Sequence, residues 1–149
     1  AAAALAAIPG FSVATNLGDL DLSGDREAIR FAESTIETVG PGGVIFARSA
    51  ETVFGLWYQA YVADREERVM VVSTPHLQFD WYWEDLQAQF PERMPAESPS
   101  ARSQRDLAII EHNLGVRPVY DADVDADAEF SPLPGYELTS VGDIVRIEP

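Results

Sequence analysis

The sequence predicts an α/β domain: a three-layer α/β sandwich with a mostly parallel, Rossmann-like sheet and a C-terminal antiparallel hairpin. Three observations predict it. Helical apolar patterns alternate with short continuous apolar runs, as expected of strands buried on both faces. The last two strand-like runs are separated by a turn-sized gap, which reads as a hairpin at a sheet edge. The length of 149 residues makes one domain, enough to bury about 70% of its unfolded surface around a single core.

Residues 11–22 read as an extended lead-in. Ser23 can cap a helix over 25–39, with acids in its first turn and Ala28, Ile29, Ala32, Ile36 and Val39 on its apolar face. Gly40-Pro41-Gly42-Gly43 ends it. Val44-Ile45-Phe46-Ala47 follows as a buried parallel strand. A second helix covers 51–63, where Val53, Leu56, Trp57, Ala60 and Tyr61 form one core stripe. Past a polar turn at 64–67, residues 68–72 are the next buried strand, closed by Ser73-Thr74-Pro75-His76. A third helix over 79–90 places Phe79, Tyr82, Trp83, Leu86 and Phe90 on one face. The three prolines in 91–100 mark a loop. A fourth helix over 101–114 is closed by Gly115. Residues 116–120 are a third strand, 121–129 an acidic loop and 131–135 a turn-rich connection. The hairpin comes last, over 136–140 and 143–148, split at Val141-Gly142. Crossovers between the parallel strands are expected to be right-handed.

Composition excludes several chemistries. There are 25 acids against 10 bases, for a net charge of −15. All the bases are arginine, so lysine Schiff bases and P-loop lysines are absent. A chain this acidic lacks the basic footprint that nucleic acid needs as a partner. With no cysteine there is no disulfide, thiol nucleophile or zinc-thiolate site. Ala1 to Ile8 is apolar and stops at Pro9-Gly10. It is shorter than the roughly 20 residues that span a bilayer and lacks the positive flank of a signal peptide. Residues 1–10 are read as the stub of a transmembrane helix, or else as an expression remnant or helix cap. Residues 11–149 form the single α/β domain.

In an open parallel sheet, ligands bind beyond the carboxyl ends of the strands, and three loops qualify. In the first, Arg48-Ser49-Ala50-Glu51-Thr52 enters the second helix. Its backbone N–H groups and Arg48 could hold an anion, or Ser49 could simply cap the helix with Glu51 at the dipole. The glycines at 40, 42 and 43 precede the strand, so they form no dinucleotide fingerprint, and no cofactor is expected. The second loop carries His76, with Asp80 four residues on as a candidate orienting carboxylate for general acid–base work. No G-x-S-x-G elbow accompanies them. In the adjoining Trp81-Tyr82-Trp83, Trp81 points off the core face. An exposed indole beside carboxylates is a surface on which sugar rings stack, or one that docks on a neighbouring element. The third loop sets Asp121, Asp123 and Asp125 at alternate positions, like the start of a calcium loop. However, position six is Ala126 and position twelve is Pro132, so a solvated acidic loop is the better reading. His112 stands alone in the fourth helix, and two histidines without cysteine leave few ligands for a transition metal.

One longer pattern goes beyond these spacings. It runs through Gly42-Gly43-Val44-Ile45-Phe46, Val53-Phe54-Gly55-Leu56-Trp57-Tyr58-Gln59, Arg68-Val69-Met70-Val71-Val72 and Leu77-Gln78-Phe79-Asp80-Trp81-Tyr82. It resembles the C-terminal extracytoplasmic region of polytopic membrane proteins of the GT-C glycosyltransferase superfamily, a family of uncharacterised function related to protein O-mannosyltransferases. The likeness covers residues 17–90, including Asp21-Leu22-Ser23-Gly24-Asp25-Arg26, and extends loosely to Tyr136 and Val145-Arg146-Ile147. The sequence departs from the family pattern at Arg48-Ser49-Ala50-Glu51, where a turn rich in aspartate and asparagine is usual, and at Gly55, where proline is usual.

The resemblance implies a domain tethered to a membrane on its extracytoplasmic face. Its partners would be its own upstream transmembrane region and a saccharide or protein acceptor. The full-length protein would be a glycosyltransferase using a lipid-linked sugar, with its catalytic acids in a loop outside this chain. The domain itself would assist acceptor or sugar positioning without catalysis, with Trp81, Tyr82 and Asp80 as sugar contacts and Arg48, Ser49 and Glu51 in a pocket loop. Two other readings stand beside it. One is a free-standing small α/β enzyme using His76 and Asp80. The other is a protein-interaction module.

Overall fold

A computed structural model of the chain describes residues 26–62, 69–123 and 135–149. The elements follow the predicted order. Helix α1 spans Glu27–Val39, strand β1 Val44–Ala47 and helix α2 Ala50–Trp57, which widens into a π turn over Tyr58–Val62. Strand β2 is Met70–Ser73, followed by a 3₁₀ turn at Thr74–Gln78 and helix α3 at Asp80–Gln89. A second 3₁₀ turn, Arg102–Gln104, leads into helix α4, Arg105–Asn113. Strands β3 (Val119–Asp121), β4 (Glu137–Val141) and β5 (Ile144–Glu148) complete the chain.

One five-stranded sheet has the order β2-β1-β3-β5-β4. Strand β1 is central to the parallel part and pairs with β2 and β3. The expectation of a mostly parallel sheet is corrected here. The hairpin does lie at a sheet edge, with β4 outermost; β5 pairs antiparallel with β3, and β4 with β5. Half of the pairings are therefore antiparallel, and the sheet is mixed.

Both faces of the sheet are covered. Val44 and Phe46 of β1, with Met70, Val72, Val119 and Ile147, pack on one side against Tyr82, Trp83 and Leu86 of α3 and Ile109 and Ile110 of α4. Their neighbours Ile45, Ala47, Val71 and Tyr120 face the other side and meet Ala32, Ile36 and Val39 of α1 and Val53 and Leu56 of α2. Period-two alternation of an all-apolar strand feeds two cores at once. This is why β1, β2 and β3 carry no charged residue until they end.

Local differences have physical causes. Helix α1 buries Ala32, Thr35, Ile36 and Val39, while Ile29 is 48% exposed. Its N-cap, Arg26, makes no side-chain cap bond. The proposed cap Ser23, the lead-in at 11–22 and the 1–10 stub lie outside the described residues, as do the turn at 64–67 and the acidic loop beyond Asp123. The predicted stripe of α2 holds through Val53, Leu56 and Ala60, but Tyr61 turns outward. A π turn needs more residues per revolution, so the buried face shifts to Gln59 and Ala60. Helix α3 starts at Asp80, after Phe79. Phe79 is thus carried off the buried face and is 44% exposed.

Gly43 shows how closely α1 and β1 join. A Cβ there would sit 2.5 Å from Val39 Cγ1 and 2.9 Å from the Val39 carbonyl oxygen, and backbone cannot yield as a side-chain tip can. Gly43→Ala is expected to destabilise the domain by about 1–3 kcal/mol, measurable by urea unfolding. Trimming the neighbour in Gly43→Ala/Val39→Ala should not restore stability, because the carbonyl contact remains. A neutral Gly43→Ala would contradict this packing.

Candidate functional site

The carboxyl ends of β1, β2 and β3 lie at one edge of the sheet, because these three strands run parallel. That geometry brings together the loops after Ala47, Ser73 and Asp121. Each loop uses its polar groups differently.

The loop after β2 carries an aromatic cluster around His76. Pro75 sits in the first turn of the 3₁₀ segment, where its fixed φ suits a tight turn. The turn folds His76 back on the strand end, placing Nδ1 2.6 Å from Ser73 Oγ. Four rings surround the imidazole at centroid distances of 5.6 Å (Tyr82), 5.8 Å (Trp57), 6.3 Å (Trp81) and 6.4 Å (Phe79). Trp81 stacks on Phe79 at 6.1 Å with 19° between planes. Phe54 meets Trp57 edge-on at 5.8 Å, extending the cluster onto α2. Phe54, Phe79 and Trp81 are exposed, and His76 is half-buried.

The predicted sugar contacts divide. Trp81 is 58% exposed, while Tyr82 is only 4% exposed. The Tyr82 hydroxyl accepts from Ser73 N–H at 2.9 Å, and burial pushes its phenol well above the ordinary value. Tyr82 is therefore a brace beneath the cluster. Asp80 does not orient His76. Its carboxylate accepts from Arg105 Nη2 at 2.6 Å and Arg102 Nη2 at 2.7 Å, and the Arg105 hydrogen bond holds it below the usual carboxylate range. Asp80 and Arg102 are both exposed, and Asp80 directly precedes Trp81 in the chain. Arg102 also lines a shallow groove of about 370 Å³ with Thr74, Pro75, Leu77, Gln78, Ser103 and Asp106. The groove flanks the turn that carries His76.

Arg105 is the buried support of this region. Besides Asp80, it donates to the Leu77 carbonyl at 2.8 Å and to Ser98 Oγ at 3.0 Å. Its guanidinium lies 5.4 Å from the Trp83 ring centroid, in cation–π range.

The loops after β1 and β3 engage each other. Arg48 Nη1 donates to both oxygens of Asp121, at 2.7 and 2.5 Å. Asp121 is 1% exposed, and burial raises its carboxyl above the usual range against the pull of Arg48. Asp123 accepts from the backbone N–H of Arg48 and of Ser49 and from Thr52 Oγ1. Ser49 Oγ caps α2 by accepting from Thr52 N–H at 3.2 Å. The donors suggested for an external anion are thus met by the chain's own carboxylates, and the capping reading of Ser49 is the one observed. Glu51 is exposed and borders a cleft of about 490 Å³ between α1 and α2, with Glu27, Phe31, Thr52 and Gly55.

The calcium reading divides across the described boundary. Asp121 and Asp123 are committed to Arg48 and the α2 terminus, and Asp125 lies outside the described residues. Among the described residues, no group of three or more His, Asp or Glu side chains is placed to hold a metal ion. His112 is exposed on α4, with Nε2 3.4 Å from the Glu92 carbonyl. Among the described residues, no helix is long and apolar enough to cross a membrane.

Sequence reasoning missed four participants: Ser73, Arg102, Arg105 and the second face of the platform, Phe79. Only Ser73 had a local signal, a hydroxyl three residues before His76 across a proline turn. Comparison with known proteins found no matching family model, no matching curated protein and no matching solved structure.

Proposed function

We propose that this chain is a non-catalytic saccharide-binding domain that serves as the extracytoplasmic accessory domain of a membrane glycosyltransferase-like protein. The observation that carries the reading is the exposed Trp81 ring stacked on Phe79 beside the Asp80–Arg102 pair. A flat aromatic face packs on the apolar face of a sugar ring, and a small number of fixed polar groups at its rim can address the hydroxyls. The tethering to a membrane protein rests on the sequence resemblance. The two cores suit a three-layer α/β sandwich, which would leave the carboxyl edge of the parallel strands open to an acceptor. Commitment of Asp80 to two arginines weighs against a His76–Asp80 acid–base pair.

Trp81→Ala tests the reading. Isothermal titration with neutral hexose oligosaccharides should show binding by the unaltered chain and at least tenfold weaker binding by Trp81→Ala. Thermal stability should change little, within about 0.5 kcal/mol, because the side chain is exposed. Unfolding of the variant would make Trp81 structural, and undiminished binding would remove the platform from the site.

A further inference from the structure

The Ser73–His76 contact permits an assignment that the heavy atoms alone do not state. The hydrogen bond at 2.6 Å contains one hydrogen, and it belongs either to Ser73 Oγ or to His76 Nδ1. Ser73 is 1% exposed. Among the described residues, its hydroxyl has His76 Nδ1 as its hydrogen-bond partner. If the ring donated from Nδ1, the buried hydroxyl hydrogen would lack an acceptor, a loss that folded proteins avoid. If the hydroxyl donates, both groups are satisfied. Nδ1 is then the acceptor nitrogen, and the neutral ring carries its proton on Nε2.

Ser73 is itself held tightly. It ends the fully buried strand β2, and its N–H is fixed on Tyr82 Oη. The ring is further confined by Trp57, Phe79, Trp81 and Tyr82. A half-buried imidazole fixed by both hydrogen bonding and ring contacts is a preorganised donor.

We propose that His76 is the polar anchor of the aromatic platform. Ser73 locks it as the Nε2–H tautomer, so that it donates to an acceptor oxygen of a saccharide stacked on Trp81. This rests on the saccharide reading above. His76 is then the specificity-determining contact, and Ser73 is a positioning residue that acts through it. A ring selected this way favours ligands presenting an acceptor oxygen at the platform edge over equally apolar ligands lacking one, because the donor would otherwise be left unpaired.

Two measurements on the full chain test this separately from the saccharide reading. The first is ¹⁵N–¹H correlation of the imidazole nitrogens. The chain has two histidines, and His112→Gln assigns them. His76 should show protonated Nε2 and acceptor-type Nδ1, and Ser73→Ala should give a mixture of tautomers. A dominant Nδ1–H form would overturn the proposal whether or not any sugar binds. The second is titration with the same neutral hexose oligosaccharides. Ser73→Ala should weaken binding about three- to tenfold, the loss of one positioned hydrogen bond. His76→Phe, which keeps the ring packing, should weaken it at least as much, and His76→Gln, which offers an amide donor, should recover part of it. Binding unchanged in both Ser73→Ala and His76→Phe would overturn the His76 contact and leave the platform standing. No binding by the unaltered chain would overturn the saccharide reading, and the ligand contact with it.

Discussion

Arg105→Ala is expected to destabilise the domain by about 3 kcal/mol and to be the most damaging single change near the aromatic platform. Arg105 is 5% exposed and ties α4 to three neighbouring elements: the Leu77 carbonyl in the 3₁₀ turn, Ser98 in the proline-rich loop and Asp80 at the start of α3. Alanine would leave the buried Leu77 carbonyl without this donor and open a void beside Trp83. Lysine should recover less than half of the loss, because an ammonium cannot reproduce the planar fork or its stacking on the indole. Denaturant unfolding followed by tryptophan fluorescence measures both variants. A loss below about 1 kcal/mol for Arg105→Ala would mean that the three bonds exchange with water at little cost.

The same residue shapes the acid response. Asp80 is held below its ordinary value of 3.8, first by the Arg105 hydrogen bond. A carboxyl lowered in the folded state stabilises that state above its unfolded pKa and loses the contribution as pH falls through the folded value. The link between α3 and α4 should therefore weaken below about pH 4. Arg105→Ala should flatten that part of the stability profile, with Arg102 keeping a remainder.

The elements were legible because their signals are local. The stripe of α2, the buried face of α3, the all-apolar strands and the Gly142 turn of the hairpin follow from periodicity and turn chemistry within a dozen residues. The hairpin at a sheet edge was legible too, but its antiparallel docking of β5 on β3 was not, because the edge it joins is a choice that no local pattern encodes. The π turn at 58–62 was hidden for a related reason: one apolar stripe fits both a continued α-helix and a widened one until Gln59 and Tyr61 are seen to exchange places. At the site, Trp81 could be read as exposed from its phase on the helix. The partners of Asp80 and Arg48 could not, since Arg105 lies 25 residues from Asp80 and Asp121 lies 73 residues from Arg48. Charge alone offered too many pairings, with 25 acids for 10 arginines.

Arg48→Ala should cost about 3 kcal/mol at neutral pH, because it strands the buried Asp121 carboxylate. Arg48 is itself only partly buried, with 34% of its side chain exposed, whereas Asp121 is at 1%. The penalty therefore lies more in the unpaired carboxylate that stays behind than in the packing of the arginine itself. The pH dependence follows from that asymmetry. Burial already holds Asp121 above its ordinary 3.8 with Arg48 present, and removing the cation pushes it further up. A carboxyl raised in the folded state binds its proton more tightly there than in the unfolded chain. The favourable contribution is thus complete below the unfolded value and is lost as pH rises through the folded one. The deficit of Arg48→Ala should accordingly be largest near neutrality and shrink toward pH 4, the opposite trend to that of the Asp80 link. The double variant Arg48→Ala/Asp121→Asn should be more stable at pH 7 than Arg48→Ala alone, since the asparagine carries no charge to strand. A double-mutant cycle at pH 7 and pH 4.5 measures this directly. A penalty independent of pH, or a double variant no better than the single one, would mean that Arg48 contributes through packing and that Asp121 finds its compensation elsewhere in the fold.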